Sequence, residues 1–187
     1  MRARLAAAGD ASLLRSCRDR VRPERWQDRP VTDDLTATIA RVEQEERDLV
    51  LPAFSYDEAW RLGTLLYAKA VERGLGIAID IRLGDQEVFH AARPGSAPDN
   101  DSWLERKGRV VRRFGASSYL VGLRHEGRGT TFEAATQLPL QEFAAHGGAF
   151  PIRVAGVGIV GVAAVSGLKG FEDHALVVEA LRELLAG

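Results

Sequence analysis

The alternation of apolar and polar positions first predicts two helices separated by a short extended segment. Thr32 is a candidate N-cap, and four apolar residues recur behind it at helical spacing: Leu35, Ile39, Val42 and Leu49. Ser55 and Glu58 form a capping box that opens a second helix, which Gly74 can end. Between the two helices Pro52 predicts an extended segment or a turn, because proline cannot continue a helix.

Two hairpins are predicted from period-two patterns. In residues 77–82 isoleucine alternates with other residues, 84–85 (Gly-Asp) suits a turn, and 87–91 returns as the partner strand. Further on, the apolar runs 150–154 and 159–165 flank a Gly-Val-Gly turn. Because residues 159–165 are apolar at successive positions, both faces of that strand should be covered by other layers.

The remaining pattern predicts helices after each hairpin. One is capped by Asp99 or Asn100 and carries Trp103, Lys107, Val110, Phe114 and then Ser117 or Ser118 on one side. Residues 124–131 have the composition of an exposed loop, and a final helix begins near Glu172. The order helix, hairpin, helix, hairpin, helix predicts an α+β sandwich with a mainly antiparallel sheet.

Composition divides the chain into a basic N-terminal extension, residues 1–30, and a single domain, residues 31–187. The extension holds eight arginines against four acidic residues, and a short amphipathic helix is predicted in it before Pro23. It is either an arm that contacts a partner or a terminus lying loosely against the domain. Over the whole chain 25 basic residues balance 26 acidic ones, so no overall field attracts nucleic acid or an anionic membrane.

Several classes of protein are disfavoured by what the sequence lacks. No apolar run approaches the ~20 residues of a membrane helix, and no continuous apolar stretch marks a secretory signal. Cys17 is the single cysteine, which excludes an internal disulfide and a cysteine-rich zinc site. We therefore expect a cytoplasmic protein, with no basic stripe for nucleic acid outside residues 1–30.

Three constellations could carry chemistry, and the first is His146-Gly147-Gly148. The two glycines allow close approach of a ligand to the backbone, and a neutral imidazole is a common ligand of haem iron. His146 is accordingly the candidate metal ligand, for haem iron alone. The alternative is a tight turn into the strand at 150–154, since Gly-Gly is typical turn chemistry.

The second constellation is the loop Ser166-Gly167, followed by Asp173 and His174 at the start of the last helix. Amide groups at a helix N-terminus can hold an anion, although Glu172 and Asp173 would repel one here. Asp173 and His174 could also form an acid/base pair, but adjacent residues on a helix do not face each other. Asp173 as a partner of the helix dipole, with His174 beside it, is the simpler interpretation.

The third constellation joins Asn100, Trp103, Lys107 and Ser118. Trp103 and Lys107 lie four residues apart, so an aromatic wall and a cation could border one pocket and hold a carboxylate such as a propionate. Alternatively Trp103 belongs to the core and Lys107 extends past it to water. Both alternatives stay open at the level of sequence.

Enzyme signatures are missing from the chain. It has no GxSxG elbow, no GxxxxGK[ST] loop, no HExxH and no GxGxxG between a strand and a helix. The four histidines are widely spaced, so no local metal cluster is predicted. A binding protein is favoured over an enzyme, and catalytic residues cannot be assigned.

Four ordered segments resemble one known family: LVLPAFSYDEAWRLG, DNDSWLERKGRVVRRFGASSY, AAHGGAFPI and VSGLKGFEDHALVVEAL. They are similar to the small proteins of the haem-degrading-domain family, related to GlcG and to the haem-binding protein HbpS. The resemblance spans residues 35–185 and leaves residues 1–30 outside it. It implies a profilin-like α/β/α sandwich around a five-stranded sheet, whose fifth strand would have to come from residues 120–131. It also implies dimers that assemble into larger rings.

The resulting hypothesis is a small-ligand-binding protein that works as a homo-oligomer, with haem or another tetrapyrrole as the ligand that the resemblance implies. The alternative is an oligomeric structural or adaptor protein that binds other proteins without a ligand or catalysis. A third reading, an enzyme using His146 or the pair Asp173 and His174, has no motif behind it.

Overall fold

The computed structural model describes residues 34–187, so the helix predicted before Pro23 lies outside the described residues. The elements in chain order are α1 Leu35–Asp48, β1 Val50–Leu51, α2 Tyr56–Glu72, β2 Ala78–Leu83, β3 Gln86–Ala92, α3 Pro98–Phe114, α4 Ser118–Glu126, α5 Phe132–Thr136, β4 Ala149–Val154, β5 Gly158–Ser166 and α6 Gly170–Ala186. Among the described helices none is long and apolar enough to span a bilayer.

The five strands form one sheet in the order β1-β4-β5-β2-β3. Strands β2 and β3, β2 and β5, and β4 and β5 pair antiparallel, whereas β1 runs parallel to β4. Helices α2 and α6 pack against one face and α3 against the other, which is the predicted α/β/α sandwich. The sheet is therefore mixed through a single parallel pair rather than antiparallel throughout.

The fifth strand is not where the sequence placed it. Residues 120–131 supply no strand; most of them belong to α4, whose first turn is capped by the Ser117 side chain accepting from the Leu120 amide at 3.2 Å. The fifth strand is instead β1, two residues that pair with Arg153 and Val154. Because a two-residue strand is too short to show a period of alternation, the sequence pattern predicted only an extended segment before Pro52.

The predicted capping box of α2 is confirmed, whereas the predicted starts of α1 and α6 are wrong by two residues each. Ser55 and Glu58 form the capping box of α2, with the Ser55 amide donating to Glu58 at 2.8 Å. The cap of α1 is Asp34, whose side chain accepts from the Thr36 amide at 3.0 Å, rather than Thr32. Helix α6 begins at Gly170, two residues before the predicted start.

Helix α3 differs from its prediction at both ends. It begins at Pro98, and Asn100 acts from inside the helix by accepting the Ala97 amide at 2.8 Å. It ends at Phe114, because Gly115 adopts a left-handed conformation with φ of 65°. Ser117 and Ser118 therefore belong to the start of the next helix and not to the stripe of α3.

The two faces of the sheet carry side chains of different size. The face toward α2 and α6 is filled by large residues: Leu62, Leu66, Ile77, Ile79, Ile81, Phe150, Ile152, Val165, Leu176 and Leu181. The face toward α3 carries Ala78, Ala149 and Ala164, which meet Leu104 and Val111 of the helix. Strand β5 contributes to both clusters, as its continuous apolar run predicted. The small residues let α3 lie close to the sheet, and this brings polar groups of α3 to its buried side.

Candidate functional site

A buried ion pair between α3 and α6 lies at the centre of the candidate residues. The Lys107 ammonium donates to Asp173 Oδ2 at 2.9 Å and to the backbone carbonyl of Val165 at 3.1 Å. The side chains of Lys107 and Asp173 are 5% and 1% exposed. Lys107 thus turns toward the sheet, where its charge has a partner, instead of extending to water.

Asp173 is held from two sides. Its second oxygen accepts the backbone amide of Leu168 at 3.0 Å, so the carboxylate joins the loop after β5 to the first turn of α6. Burial raises the pKa of Asp173 to about 6 although Lys107 and the backbone donors oppose the rise. Burial also lowers the pKa of Lys107. Both shifts indicate that desolvation disfavours the charged forms of the two side chains, so each charge is stable in the interior only while the other is present.

Gly147, Gly148 and Gly167 lie where backbone segments pass close together. Gly148 has φ of 124°, and a Cβ there would lie 2.7 Å from the Lys107 ammonium. Gly147 packs against the backbone of Gly170, and Gly167, with φ of 148°, against the backbone of Gly76 and Ile77. These glycines surround the ion pair, and the space beside each is filled by the protein itself.

The candidate serines and Asn100 also form contacts within the fold. The Ser118 hydroxyl donates to the Ala149 carbonyl at 3.3 Å and accepts the Ala149 amide at 3.1 Å, so it ties α4 to the start of β4. Asn100 Nδ2 donates to the Ser166 hydroxyl at 3.4 Å. Ser118 and Ser166 are buried, and Asn100 is half-buried.

A second group lies at the surface beside the ion pair and is called here the ligand surface: Trp103, Arg106 and His146. The rings of Trp103 and His146 are 5.1 Å apart, and the Arg106 guanidinium lies 4.0 Å from the centre of the Trp103 ring. Trp103 Nε1 donates to Asp99 at 3.0 Å, which fixes the indole on α3. All three members of the surface are half-buried.

The electrostatics of the ligand surface keep His146 neutral. Burial, followed by the positive charge of Lys107, lowers the pKa of His146 to about 4. At neutral pH the imidazole therefore carries one proton, and its ring can act as a ligand or hydrogen-bond partner without titrating.

His174 lies apart from Asp173 although the two are adjacent in sequence. His174 Nε2 meets Glu45 Oε2 of α1 at 3.1 Å, and its ring packs 5.0 Å from that of Tyr119 and 5.7 Å from that of Phe150. The residue is 1% exposed. Asp173 and His174 thus belong to two separate buried contacts and form no acid/base pair.

Two residues of the site region were missed by the sequence interpretation. Arg106 follows from the same α3 pattern as Trp103 and Lys107, and one turn of helix would have placed it near Trp103. Glu45 is spaced three residues from Val42 and four from Leu49, on the buried side of α1, and a carboxylate on that side needs a partner. The helical period carried both signals, but the identity of the partners depends on the tertiary fold.

The constellations proposed from sequence are therefore partly merged. The ion pair brings together Lys107, Gly148 and Asp173, whereas Trp103 and His146 meet outside it. The two side chains of the predicted pocket have different partners: Lys107 is buried against Asp173 and the Val165 carbonyl, whereas Trp103 is half-buried beside His146.

Comparison with known proteins places this architecture in a family. A UPF0303 protein of Streptomyces avermitilis is 57% identical over 148 residues, which cover 79% of this chain and 91% of that protein. The crystal structure of the Ybr137w protein superposes with a TM-score of 0.72 at 31% identity, covering 79% of this chain and 87% of that one. The crystal structure of the PduOC–heme complex gives a TM-score of 0.60 at 14% identity, covering 70% of this chain and 94% of that one, which shows a shared fold.

The match to a family model is the most direct of these findings. The model described as haem degrading protein HbpS-like matches residues 54–182, from the start of α2 to the last turns of α6. This span contains the Lys107–Asp173 ion pair and the whole ligand surface. The chain belongs to the HbpS-like family of haem-degrading proteins.

Proposed function

We propose that the protein binds a small planar ligand at the ligand surface, with haem or a related tetrapyrrole as the first candidate, and that it works as an oligomer. The observation that carries the proposal is the pairing of His146 with Trp103, 5.1 Å between ring centres, next to the Arg106 guanidinium. An imidazole, an aromatic wall and a cation are thus presented together at the edge of α3.

The donor set fits haem in its chemistry. A neutral imidazole is the form that coordinates iron, and the pKa of His146, about 4, leaves it neutral at physiological pH. Arg106 offers a guanidinium that can pair with a propionate, the role that the sequence pattern gave to Lys107. Lys107 is engaged by Asp173 and is 4% exposed, so it supports the surface from beneath.

The chain's own residues would divide the work of binding. His146 would hold the iron, Arg106 would hold a carboxylate, and Trp103 would fix the tilt of the imidazole. Haem, when bound, supplies the redox and oxygen chemistry. Gly147 and Gly148 set the position of His146, because their backbone packs against Gly170 and the ion pair.

Names in the comparisons support this choice of ligand. The matching family model is described by haem degradation, and one structural neighbour was crystallised with heme. Because identity to that neighbour is 14%, the proposed location of the ligand rests on the residues of this chain alone.

The test is an absorbance titration of the purified protein with haem. We expect a saturable Soret shift in the wild-type protein and its loss in His146→Ala. Arg106→Ala should weaken binding by about tenfold, the value of one charge-assisted contact. Arg128→Ala removes an equal charge at an exposed position in the turn after α4 and should leave the titration unchanged.

A Soret shift that persists in His146→Ala would place the iron ligand elsewhere and end this assignment. A wild-type protein that gives no shift would refute haem as the ligand. Circular dichroism of each variant distinguishes a lost contact from a lost fold.

The adaptor function has one observation in its favour. Helix α2 presents Tyr56, Trp60, Tyr67 and Val71 along one exposed stripe, and Trp60 is 63% exposed. Trp60 also packs edge-on against Phe89 of β3, at 5.6 Å, and β3 lies at the edge of the sheet. An exposed aromatic stripe beside a sheet edge is typical of a surface that associates with protein.

Light scattering coupled to gel filtration tests the association. We expect an oligomer in the wild-type protein and a smaller species in Val71→Glu, which lies on the stripe. Val157→Glu, an equally apolar exposed residue in the β4–β5 turn, should keep the wild-type mass. A monomeric wild-type protein would remove both the oligomer and the adaptor function.

A further inference from the structure

A second cluster of ligand-type side chains lies between the β2–β3 hairpin and α3, away from the ion pair. Asp80, Glu87 and His90 each offer one atom, and the three atoms lie within 4.8 Å of one another. The sequence interpretation predicted no local metal cluster because the histidines are far apart along the chain. The hairpin brings one of them to two carboxylates: Asp80 stands directly opposite His90, and Glu87 opposite Arg82.

These side chains line a cleft, called here the hairpin cleft, of about 210 Å³. The lining residues share a polar or charged character with one exception, Leu104: Asp80, Arg82, Glu87, His90, Asp101, Ser102, Leu104 and Glu105. Four carboxylates face one guanidinium, so the formal charge of the lining is −3 when His90 is neutral. Such a cleft attracts cations.

The independent sign of a missing ligand is on Asp80. The residue is 5% exposed, and its Oδ1 atom has no hydrogen-bond partner among residues 34–187. A buried carboxylate oxygen without a donor costs free energy unless something positive meets it. The neighbourhood adds to that cost, because burial and the charge of Glu87 both raise the pKa of Asp80.

The Arg82 guanidinium donates hydrogen bonds to two of these carboxylates. Its Nε donates to Asp80 Oδ2 at 3.0 Å, and its Nη2 donates to Glu87 Oε2 at 3.1 Å. Both carboxylates are thereby oriented, while Oδ1 of Asp80 stays unbound. A cation bound at Oδ1 would give this oxygen a positive partner, while the guanidinium of Arg82 keeps both carboxylates in place.

We propose that the hairpin cleft is a binding site for a divalent transition-metal ion, held by Asp80, Glu87 and His90. Zinc and manganese are bound by sets of one imidazole and two carboxylates, whereas magnesium and calcium prefer oxygen ligands alone. Ligand atoms of a tetrahedral zinc site lie ~3.4 Å apart, by geometry from bonds of about 2.1 Å. The three ligand atoms, within 4.8 Å of one another, would have to move closer to reach that value, and Glu87 and His90 are the exposed side chains that would turn toward Asp80. Asp101, whose Oδ1 is 3.5 Å from His90 Nε2, can orient the imidazole.

The experiment is a calorimetric titration of zinc and of manganese, each as the metal alone, into full-length protein freed of metal and of any affinity tag. All proteins carry Cys17→Ser, so the thiol cannot contribute. We expect saturation at one ion per chain, and a loss of affinity of at least tenfold in Asp80→Asn and in His90→Gln. Glu142→Gln, which removes one exposed carboxylate outside the cleft, should bind as its parent does.

Affinity unchanged in His90→Gln, or no saturable binding in the parent protein, would overturn the proposal. Because His90 is exposed, its replacement leaves the core intact, and circular dichroism checks the fold of Asp80→Asn. Electron paramagnetic resonance of manganese gives a second readout that does not depend on calorimetry: the signal of bound manganese should be lost in His90→Gln.

Discussion

Replacing Lys107 with methionine tests whether the buried ion pair stabilises the domain. Methionine keeps most of the aliphatic stem and removes the charge, so the Asp173 carboxylate stays buried without the ammonium that lies 2.9 Å away. Breaking a buried pair by removing one partner costs about 3–5 kcal/mol. We expect about 3 kcal/mol, the lower end of that range, because the Leu168 amide still donates to Asp173.

The pH dependence of this loss identifies its cause. In the wild-type protein the pKa of Asp173 rises on folding from 3.8 to about 6. Folding therefore takes up a proton between these values, so the contribution of Asp173 to stability falls as the pH rises through the window and is constant above it. Without Lys107 the folded-state pKa is higher still. The fall then continues above pH 6, at up to about 1.4 kcal/mol per pH unit.

Urea denaturation of four proteins between pH 6 and 8 measures this effect. The double variant Lys107→Met, Asp173→Asn has no ionisable group at the site, so its slope with pH should match the wild-type slope above pH 7, where the wild-type Asp173 is ionised. Asp173→Asn alone leaves a buried ammonium whose pKa burial lowers, and its stability should rise with pH. A Lys107→Met variant that loses less than about 1 kcal/mol at pH 7.5, or that follows the wild-type slope, would refute the reasoning.

Three further predictions concern the same region. Gly148→Ala should lower the melting temperature by several degrees, because φ of 124° disfavours a side chain there and the added Cβ has no room; an unchanged melting curve would contradict this. Ser118→Ala should cost about 1–3 kcal/mol in urea denaturation, since the buried amide of Ala149 loses its acceptor; a loss within error of zero would show that water replaces the hydroxyl. Although burial acts to raise it, the pKa of Glu45 is lowered by the hydrogen bond and charge of His174. The contribution of ionised Glu45 to stability is thus present above pH 4.5 and is lost as the pH falls through the lowered folded-state pKa. The free energy of unfolding of Glu45→Gln should therefore differ from that of the wild type at pH 7 and converge with it in acid. A difference that persists to pH 3 would exclude the linkage.

The parts of the fold that could be predicted are those whose determinants are local. The capping box of Ser55 and Glu58 lies within one helical turn, and the β2–β3 hairpin has its turn residues at its centre. The continuous apolar run 159–165 also predicted correctly that both faces of its strand are buried. The fifth strand could not be predicted, because Val50 and Leu51 become a strand only when β4 lies beside them. Residues 118–126 were missed as a helix since their apolar positions follow no clean period.

The candidate site divides along the same line. The four-residue spacing of Trp103 and Lys107 placed both on α3, but it could not tell which would turn inward. That choice depends on Asp173, 66 residues away, whose carboxylate accepts the ammonium. The pairing of His174 with Glu45 spans 129 residues and is equally invisible to local pattern. The turn at residues 84–85 predicts the pairing of Arg82 with Glu87, but His90 comes opposite Asp80 only through the register shift between Ile81 and Arg82, which the pattern does not reveal.

The ion pair also bears on how the ligand surface is positioned. Trp103 lies one helical turn before Lys107, so the contact of Lys107 with Asp173 and the Val165 carbonyl fixes the rotation of α3 that presents the indole. On the other side of the surface, His146 lies two residues before Gly148, whose backbone is packed against the same ammonium. Both halves of the ligand surface are therefore anchored to one buried charge. We therefore expect that Lys107 holds the two rings at their 5.1 Å spacing and so acts as a positioning residue for any ligand bound there, although the ligand would not touch it.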